Sequence, residues 1–311
     1  MKLVNQYQEK DKIKGQLLVA SCLKGITNGG LSYLNLELRD NTGSIIAKKW
    51  DVKESDEETF IQGNVVEVEG EIILYKNVLQ MKVTSARKIP QEEIDYSLFV
   101  KSSPFSEEEL KKKFKYYYDS VSNKDCKEVL KRMINRIGPS LLTFPAAITI
   151  HHDYIRGLMT HITSMCDLAE FIASHYENVD KDLLITGVII HDLGKTIEYE
   201  GPYIFKQTLE GKLVGHISIG MAILKEECEN ISFENPEIPI LLEHMVLSHH
   251  GQYEYGSPVL PMTKEALILN LIDNLDSRIV AINKGLENVK EGEFSQKLFA
   301  FDNRSFYNPK K

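Results

Sequence analysis

The sequence predicts a multidomain protein: a small β-barrel over residues 1–90, a linker and connecting helix over 91–122, and an all-α domain over 123–311. Three observations predict it. The first ninety residues alternate apolar and polar side chains with a period of two between turn residues. Across 84–104 neither period holds, and Ile89-Pro90 and Ser102-Ser103-Pro104 interrupt the chain. Beyond that the apolar spacing is helical, with caps or breaks at Asn123, Gly138-Pro139, Pro145, Gly157, Asp180, Gly201-Pro202, Gly211, Pro236, Gly251 and Pro258.

The strands follow in order. Residues 13–23 form the first and end at Thr27-Asn28-Gly29-Gly30, a turn by its chemistry. In 33–40, Leu34, Leu36 and Leu38 share one face. Asp40-Asn41-Thr42-Gly43 turns the chain into 44–50, and the polar stretch 51–60 reads as a short helix. Gly63 opens 65–70, which continues past Gly70 into 72–75. Tyr75-Lys76-Asn77 then leads to 78–83. Five short strands, one helical insertion and a strand-interior glycine suggest closure into a barrel. In the helical part, Ser106-Glu107-Glu108-Glu109 is a cap followed by acids, opening a helix to about 120 with Lys111-Lys112-Lys113 and Tyr116-Tyr117-Tyr118. The one non-helical patch is 203–214, where 208–212 reads as a hairpin.

Composition narrows the function classes. With 42% apolar and 26% charged residues in 311, the chain is ordinary for a globular protein with room for two cores. The longest apolar runs, such as 183–190, are too short to span a bilayer, and the first residues lack the apolar core of a signal peptide. Cys22, Cys126, Cys166 and Cys228 are scattered with no CxxC pair, which fits small buried thiols in a reducing cytoplasm. The net charge of −8 excludes a generally basic nucleic-acid binder. Residues 1–90 hold 13 Lys/Arg against 12 Asp/Glu, and the remainder 24 against 33. A polyanion would therefore meet a local groove, and the carboxyl-rich remainder suits a domain that holds cations.

The chemistry gathers around His191-Asp192, delivered at the end of the apolar run 183–190 and followed by Leu193-Gly194-Lys195. His161 lies on the helix beginning at Gly157, whose apolar face includes Leu158, Ile162, Met165 and Leu168. His216 follows Gly215 at another helix start, His249-His250-Gly251 closes a helix from 236, and Asp273 follows the apolar 267–272 with Asp276 and Arg278 beyond it. Imidazole and carboxylate together suit Mn, Fe, Co, Ni or Zn. A lone His on any of these helices is ordinary core or surface. Five helical segments that each supply a ligand type predict a metal site at His161, His191, Asp192, His216, His249 and Asp273. Adjacent helical residues point about 100° apart, so one of His249 and His250 should face the metal. His249 is taken as the ligand and His250 as its alternative.

The Leu34/Leu36/Leu38 strand, the Asp40–Gly43 turn, Lys48-Lys49-Trp50 and the Gly63…Gly70 strand resemble an OB-fold of the tRNA-anticodon type. OB barrels bind single strands by a charged groove and aromatic stacking, each stacked base contributing roughly 1–3 kcal/mol. The resemblance makes Tyr33, Trp50 and Tyr75, with Arg39, Lys48, Lys49 and Lys76, candidate contacts. Over about 140–285, the order His161, His191-Asp192, Asp273 resembles the H…HD…D signature of HD-domain metal-dependent phosphohydrolases. His216 and His249 match the subgroup that binds two metals, in which the Asp of the HD pair bridges them. An OB-fold ahead of an HD domain resembles the YhaM family of bacterial 3′→5′ exoribonucleases. The motifs are His151-His152-Asp153-Tyr154, Gly157-Leu158…His161, His191-Asp192-Leu193-Gly194-Lys195, Gly215-His216 and Ser248-His249-His250-Gly251. Where family members often carry two glycines before the leucine, this chain has Arg156-Gly157.

The resemblance implies a cytoplasmic hydrolase with two divalent ions, manganese foremost, acting on single-stranded RNA, with single-stranded DNA as a second substrate. Two ions roughly 3.5–4 Å apart hold a bridging hydroxide and clamp the attacking and leaving oxygens of a phosphodiester. Asp192 is the expected catalytic bridge. Lys195, one helical turn beyond His191, is placed to stabilise phosphate oxygens; His152, Arg156 and Arg278 are further phosphate candidates. A homo-oligomer that encloses the site is expected. Two other readings stay open: a phosphodiesterase for cyclic or small nucleotides, with the barrel as an appendage, and a DNA- or RNA-binding protein whose HD domain is structural.

Overall fold

A computed structural model describes residues 2–27, 29–76, 78–95, 98–100, 102–146, 154–201, 205–287 and 289–310. The chain divides into two compact units, Met1–Ser102 and Ser103–Lys311.

In the first unit, β1 (Lys12–Ile26), β2 (Ser32–Asp40), β3 (Gly43–Trp50), β4 (Val65–Tyr75) and β5 (Val78–Lys88) close in the order β1-β2-β3-β5-β4. β3 and β5 run parallel and the other pairs antiparallel, with β1 pairing both β2 and β4. Closure gives every strand of the barrel two neighbours. The short helix α1 (Glu54–Thr59) joins β3 to β4. The alternation sorts side chains as expected: Leu34, Leu36, Leu38, Ala47, Val68 and Met81 fill the interior with Phe60. β5 runs on to Lys88, past the residues where the sequence pattern lapses. Its second half pairs with Val66–Glu69 across a bulge at Glu69/Gly70. That half carries outward polar side chains, such as Arg87 bonded to Glu67, and so loses apolar alternation without losing its partner strand.

The second unit is helical: α2 (Glu107–Ser120), α3 (Lys124–Ile137), α4 (Gly157–His175), α5 (Lys181–Ile190), α6 (Lys195–Glu198), α7 (Leu209–Leu213), α8 (Gly215–Cys228), α9 (Ile238–Ser248) and α10 (Lys264–Leu286). Ser106 and Glu109 close a reciprocal capping box at α2, as the sequence indicates. Leu110 and Tyr117 bury that helix in the core of the second unit, while Lys113 and Tyr117 bond Asp167. α5 is apolar on all sides because it is the central helix, flanked by α3, α4, α9 and α10. No described helix is long and apolar enough to cross a membrane.

One local expectation is corrected. The hairpin lies between β6 (Tyr199–Glu200) and β7 (Lys206–Gln207), and 208–212 begins a helix instead. Thr208 accepts from the Gly211 amide and so caps α7, which makes a helix start of a stretch whose glycine suggests a turn.

Candidate metal centre

Five helical segments aim their ligands at one point. α4 supplies His161 from its first turns, and α5 stops at Ile190 so that the turn to α6 presents His191 and Asp192. α8 opens on Gly215-His216, α9 ends just before His249 and His250, and α10 contributes Asp273. Asp192 is at the centre. Its Oδ2 lies 3.3 Å from His191 Nε2 and 3.8 Å from His161 Nε2. Its Oδ1 lies 3.5 Å from His216 Nε2 and 3.7 Å from His249 Nε2. His161 Nε2 is also 3.2 Å from Asp273 Oδ1. The two oxygens of one carboxylate therefore face two separate sets of imidazoles.

His250 departs from the expectation that only one of the adjacent pair faces the centre. Ligand atoms of His216, His249 and His250 lie within 4.8 Å of one another, and the His249 and His250 rings are 4.4 Å apart. His249 is the C-cap of α9, and His250 lies in the turn beyond it with its Nδ1 held by the Tyr255 carbonyl. His161, His191 and Asp273 form a second such group, and His191, Asp192 and His249 a third.

Each imidazole is oriented through its other nitrogen. Nδ1 of His191, His249 and His250 lies 2.7 Å from the carbonyls of Val188, Val246 and Tyr255 respectively. His161 Nδ1 lies 2.7 Å from Asp276 Oδ2, and Ser164 donates to the other oxygen of that carboxylate. His216 Nδ1 lies 3.1 Å from Glu198 Oε2. Where Nδ1 donates to a carbonyl, as in His191, His249 and His250, the Nε2 lone pair is left facing inward, as outer partners do around metal ligands. Nε2 of His191, His216 and His249 and Oδ1 of Asp192 are buried with no hydrogen-bond partner among the described residues. Such an atom costs about 1–3 kcal/mol. Four in one place, all lone-pair donors, fit a divalent cation.

Electrostatics prepares the same set. Burial would raise the Asp192 pKa, but Lys195 and then His191 hold it well below the ordinary carboxylate range. Burial, reinforced by His191, pushes His249 well down and leaves it neutral; burial and His216 lower His250. Burial also works against His161, yet its hydrogen bonds to Asp273 and Asp276 outweigh that and carry it up to about 9. Below pH 9 the metal-free ring thus holds a proton on Nε2 that a metal must displace. Metal affinity should rise about tenfold per pH unit from 6.5 to 8.5, with about one proton released per ion at this position. Titration calorimetry in two buffers of different ionisation enthalpy reads both, and a flat profile without proton release would contradict it. The sign for stability is opposite. The raised His161 value stabilises the metal-free fold below pH 6.5, and that contribution fades as pH climbs through 9.

Lys195 is buried and its Nζ lies 2.5 Å from Asp192 Oδ2. It also lines a cavity of about 350 Å³ shared by His250, Asp273, Asn270, Asn274, Ser277 and Arg278, with Phe301 behind Arg278. Arg156 caps α4 at a positive φ of 67°, and its buried Nε has no hydrogen-bond partner among the described residues. His152 lies outside the described residues. On the barrel, Tyr33 and Trp50 pair across β2 and β3 with ring centroids 5.0 Å apart, and Lys48 Nζ sits 5.2 Å and 5.7 Å from the two rings. Tyr75 and Lys76 form a separate pair, 5.6 Å apart at the β4–β5 turn, and Arg39 is half-buried on β2. Lys49 is turned inward by the strand alternation. It donates to the Trp50 carbonyl beside Asp56 and so does not join the outer group. Sequence reasoning missed Glu198 and gave Asp276 no role, although the latter follows Asp273 by three residues and so shares its helix face.

Residues 158–278 match the family model described as an HD domain, and residues 12–89 the one described as an OB-fold nucleic acid binding domain. Over 304 residues the chain is 40% identical to the 3′-5′ exoribonuclease YhaM of Geobacillus sp. (strain WCH70), which spans 97% of this chain and 94% of that protein. The chain belongs to the YhaM family. The barrel of this YhaM-family chain is accordingly an OB-fold and its helical unit an HD domain, the type of domain that binds divalent metal through His and Asp clusters such as those above. Among solved structures, the HD domain of the L. monocytogenes phosphodiesterase PgpH is 20% identical, covering 53% of this chain and 76% of its own, with a TM-score of 0.29. The second OB-fold domain of replication protein A from Methanococcus maripaludis is 19% identical, covering 28% and 93%, with a TM-score of 0.24.

Proposed function

We propose that this chain is a metal-dependent exonuclease that shortens single-stranded RNA from its 3′ end to nucleoside monophosphates, and accepts single-stranded DNA as well. The observation that carries the proposal is the division of Asp192, one carboxylate oxygen toward His161 and His191 and the other toward His216 and His249. His161, His191, Asp192 and Asp273 would hold one ion, and Asp192, His216, His249 and His250 the other, manganese being the expected metal. Such ions supply a water of lowered pKa and positive charge for the phosphodiester oxygens. The chain's residues do the rest. Asp276 and Glu198 fix the rings of His161 and His216. Lys195, anchored on Asp192 at the cavity wall, offers an ammonium to a phosphate oxygen that gathers charge.

The OB-fold would hold the strand through Tyr33, Lys48 and Trp50, with Arg39 and the Tyr75–Lys76 pair as outlying contacts. The test is a 5′-labelled single-stranded RNA incubated with the manganese-loaded protein. The expected result is a ladder shortening from the 3′ end, with mononucleotide product. Trp50→Ala should raise KM for RNA by the roughly 1–3 kcal/mol of one stacked base and leave kcat within twofold. RNA left intact by the metal-loaded protein would refute the reading.

A homo-oligomer is part of the reading. Leu267, Leu271, Leu275 and Ile279 are each about half exposed at four-residue spacing on α10, an apolar stripe suited to burial against a second copy. Light scattering should show a mass above 35.5 kDa that falls to this value in Leu271→Glu/Leu275→Glu. A parent protein that is monomeric at micromolar concentration would remove this part.

A further inference from the structure

The cavity beside the metal centre has a direction. Its floor is one face of α10, formed by Asn270, Asp273, Asn274, Ser277, Arg278 and Ala281. From Asp273 to Ala281 this face runs about 12 Å at the α-helical rise of about 1.5 Å per residue. The near end holds Asp273, His250 and Lys195, and the far end is closed by Ala300 and Phe301. These two residues sit in a C-terminal hairpin in which Phe294 pairs with Tyr307 and Leu298 with Arg304. The hairpin is docked, because Gly285 of α10 lacks the side chain that would collide with Leu298 (a Cβ there would lie 2.7 Å from Leu298 Cδ1). Phe301 is buried, and the Arg278 guanidinium lies 5.6 Å from its ring centroid. The aromatic ring fixes Arg278 at the cavity side of the hairpin, where a guanidinium can stack on a base or pair with a phosphate.

Polarity changes along the floor. Asp273, His250 and Lys195 occupy the metal end, Asn274 and Ser277 the middle, and Ala281, Ala300 and Phe301 the far end, where the one charge is the Arg278 guanidinium against Phe301. At about 350 Å³ the cavity is at the small end of ligand sites, which range over roughly 300–1,000 Å³. We propose that this groove seats the 3′-terminal nucleotide of the strand, and that the C-terminal hairpin is the end wall that limits it to one nucleotide. Asn274 and Ser277 face its sugar and base edges, and Arg278 grips it from the Phe301 side. The proposal rests on the exonuclease reading and adds the reason why the bond cut is the last one.

The test uses full-length protein and adenosine 5′-monophosphate as probe, measured by equilibrium dialysis against the manganese-loaded protein and as an inhibitor of RNA shortening. Ala300→Trp fills the groove from an exposed position on its end wall, and Arg278→Gln removes the guanidinium without opening the core. Manganese content and melting temperature show that each variant is folded and loaded. The parent should bind the nucleotide competitively with RNA. Ala300→Trp should weaken nucleotide binding and raise KM for RNA at least tenfold, and Arg278→Gln threefold or more, with smaller changes in kcat. A folded, metal-loaded Ala300→Trp that binds the nucleotide as the parent does would overturn the proposal, as would a parent that does not bind it. A parent that binds the nucleotide, with Ala300→Trp impaired, yet leaves RNA 3′ ends intact would uphold the groove and sink the exonuclease reading.

Discussion

Asp192→Asn should lower kcat for RNA shortening by at least about 10³-fold, because the charge that two ions would share is lost and several kcal/mol of transition-state stabilisation depend on them. The two oxygens serve different imidazole sets, at 3.3 Å from His191 on one side and 3.5 Å from His216 on the other. An amide keeps the shape but replaces one oxygen with a hydrogen-bond donor aimed at imidazole nitrogens, which also excludes a cation from that side. Metal analysis by mass spectrometry should therefore show at most one manganese per chain where two are expected in the parent. A second effect separates the structural from the catalytic role. Lys195 is buried against this carboxylate, and losing the charge of its partner should cost the metal-free fold about 1–3 kcal/mol. Adding Lys195→Met should restore the metal-free melting temperature, since an apolar replacement of a buried pair is often neutral, while activity stays lost. An Asp192→Asn protein with full metal content and parental kcat would remove Asp192 from the bridging position.

Residues explain how much of this was legible in the sequence. The barrel was readable because Leu34, Leu36 and Leu38 alternate cleanly, and a two-residue period has one structural meaning. β5 was truncated in the reading because its last residues carry outward polar groups, and strand pairing leaves no apolar signature there. The His/Asp group was readable because five helical segments each bring a ligand-type side chain near an end, a combination that no single His on such a helix makes. Their division between the two oxygens of Asp192 depends on the turn between α5 and α6, which no spacing encodes. Lys49 shows the limit on the other side. Charge suggested a surface contact, while alternation alone, with Ala47 and Lys49 on the same face, places it inside beside Asp56. Glu198 and Phe301 reach the site from a four-residue helix and from a C-terminal loop, each too short to carry a periodic pattern. His249 and His250 both approach the group from the turn that follows α9, which ends at Ser248 rather than at His250.

Gly194→Ala should remove one metal ion without touching a ligand. A Cβ on Gly194 would lie 2.1 Å from the His216 carbonyl oxygen and 2.7 Å from the Gly220 amide nitrogen. Both are backbone atoms of α8, so no side-chain rotation relieves the overlap, and the start of that helix must move away by more than about 1 Å to reach ordinary contact distance. His216 moves with it. Its Nε2, 3.5 Å from Asp192 Oδ1, then leaves the group it forms with His249 and His250. His161 and Asp273 come from α4 and α10 and do not touch Gly194, and His191 is anchored ahead of it on the Val188 carbonyl of α5. The expected protein binds one manganese in place of two, melts lower by an amount equal to about 1–3 kcal/mol of strain, and shortens RNA about 10²-fold more slowly. Metal content separates this from simple loss of stability: a destabilised chain with an intact centre would hold both ions below its melting temperature. Two ions bound with parental affinity in Gly194→Ala would show that α8 tolerates the displacement and that His216 is not held by this contact.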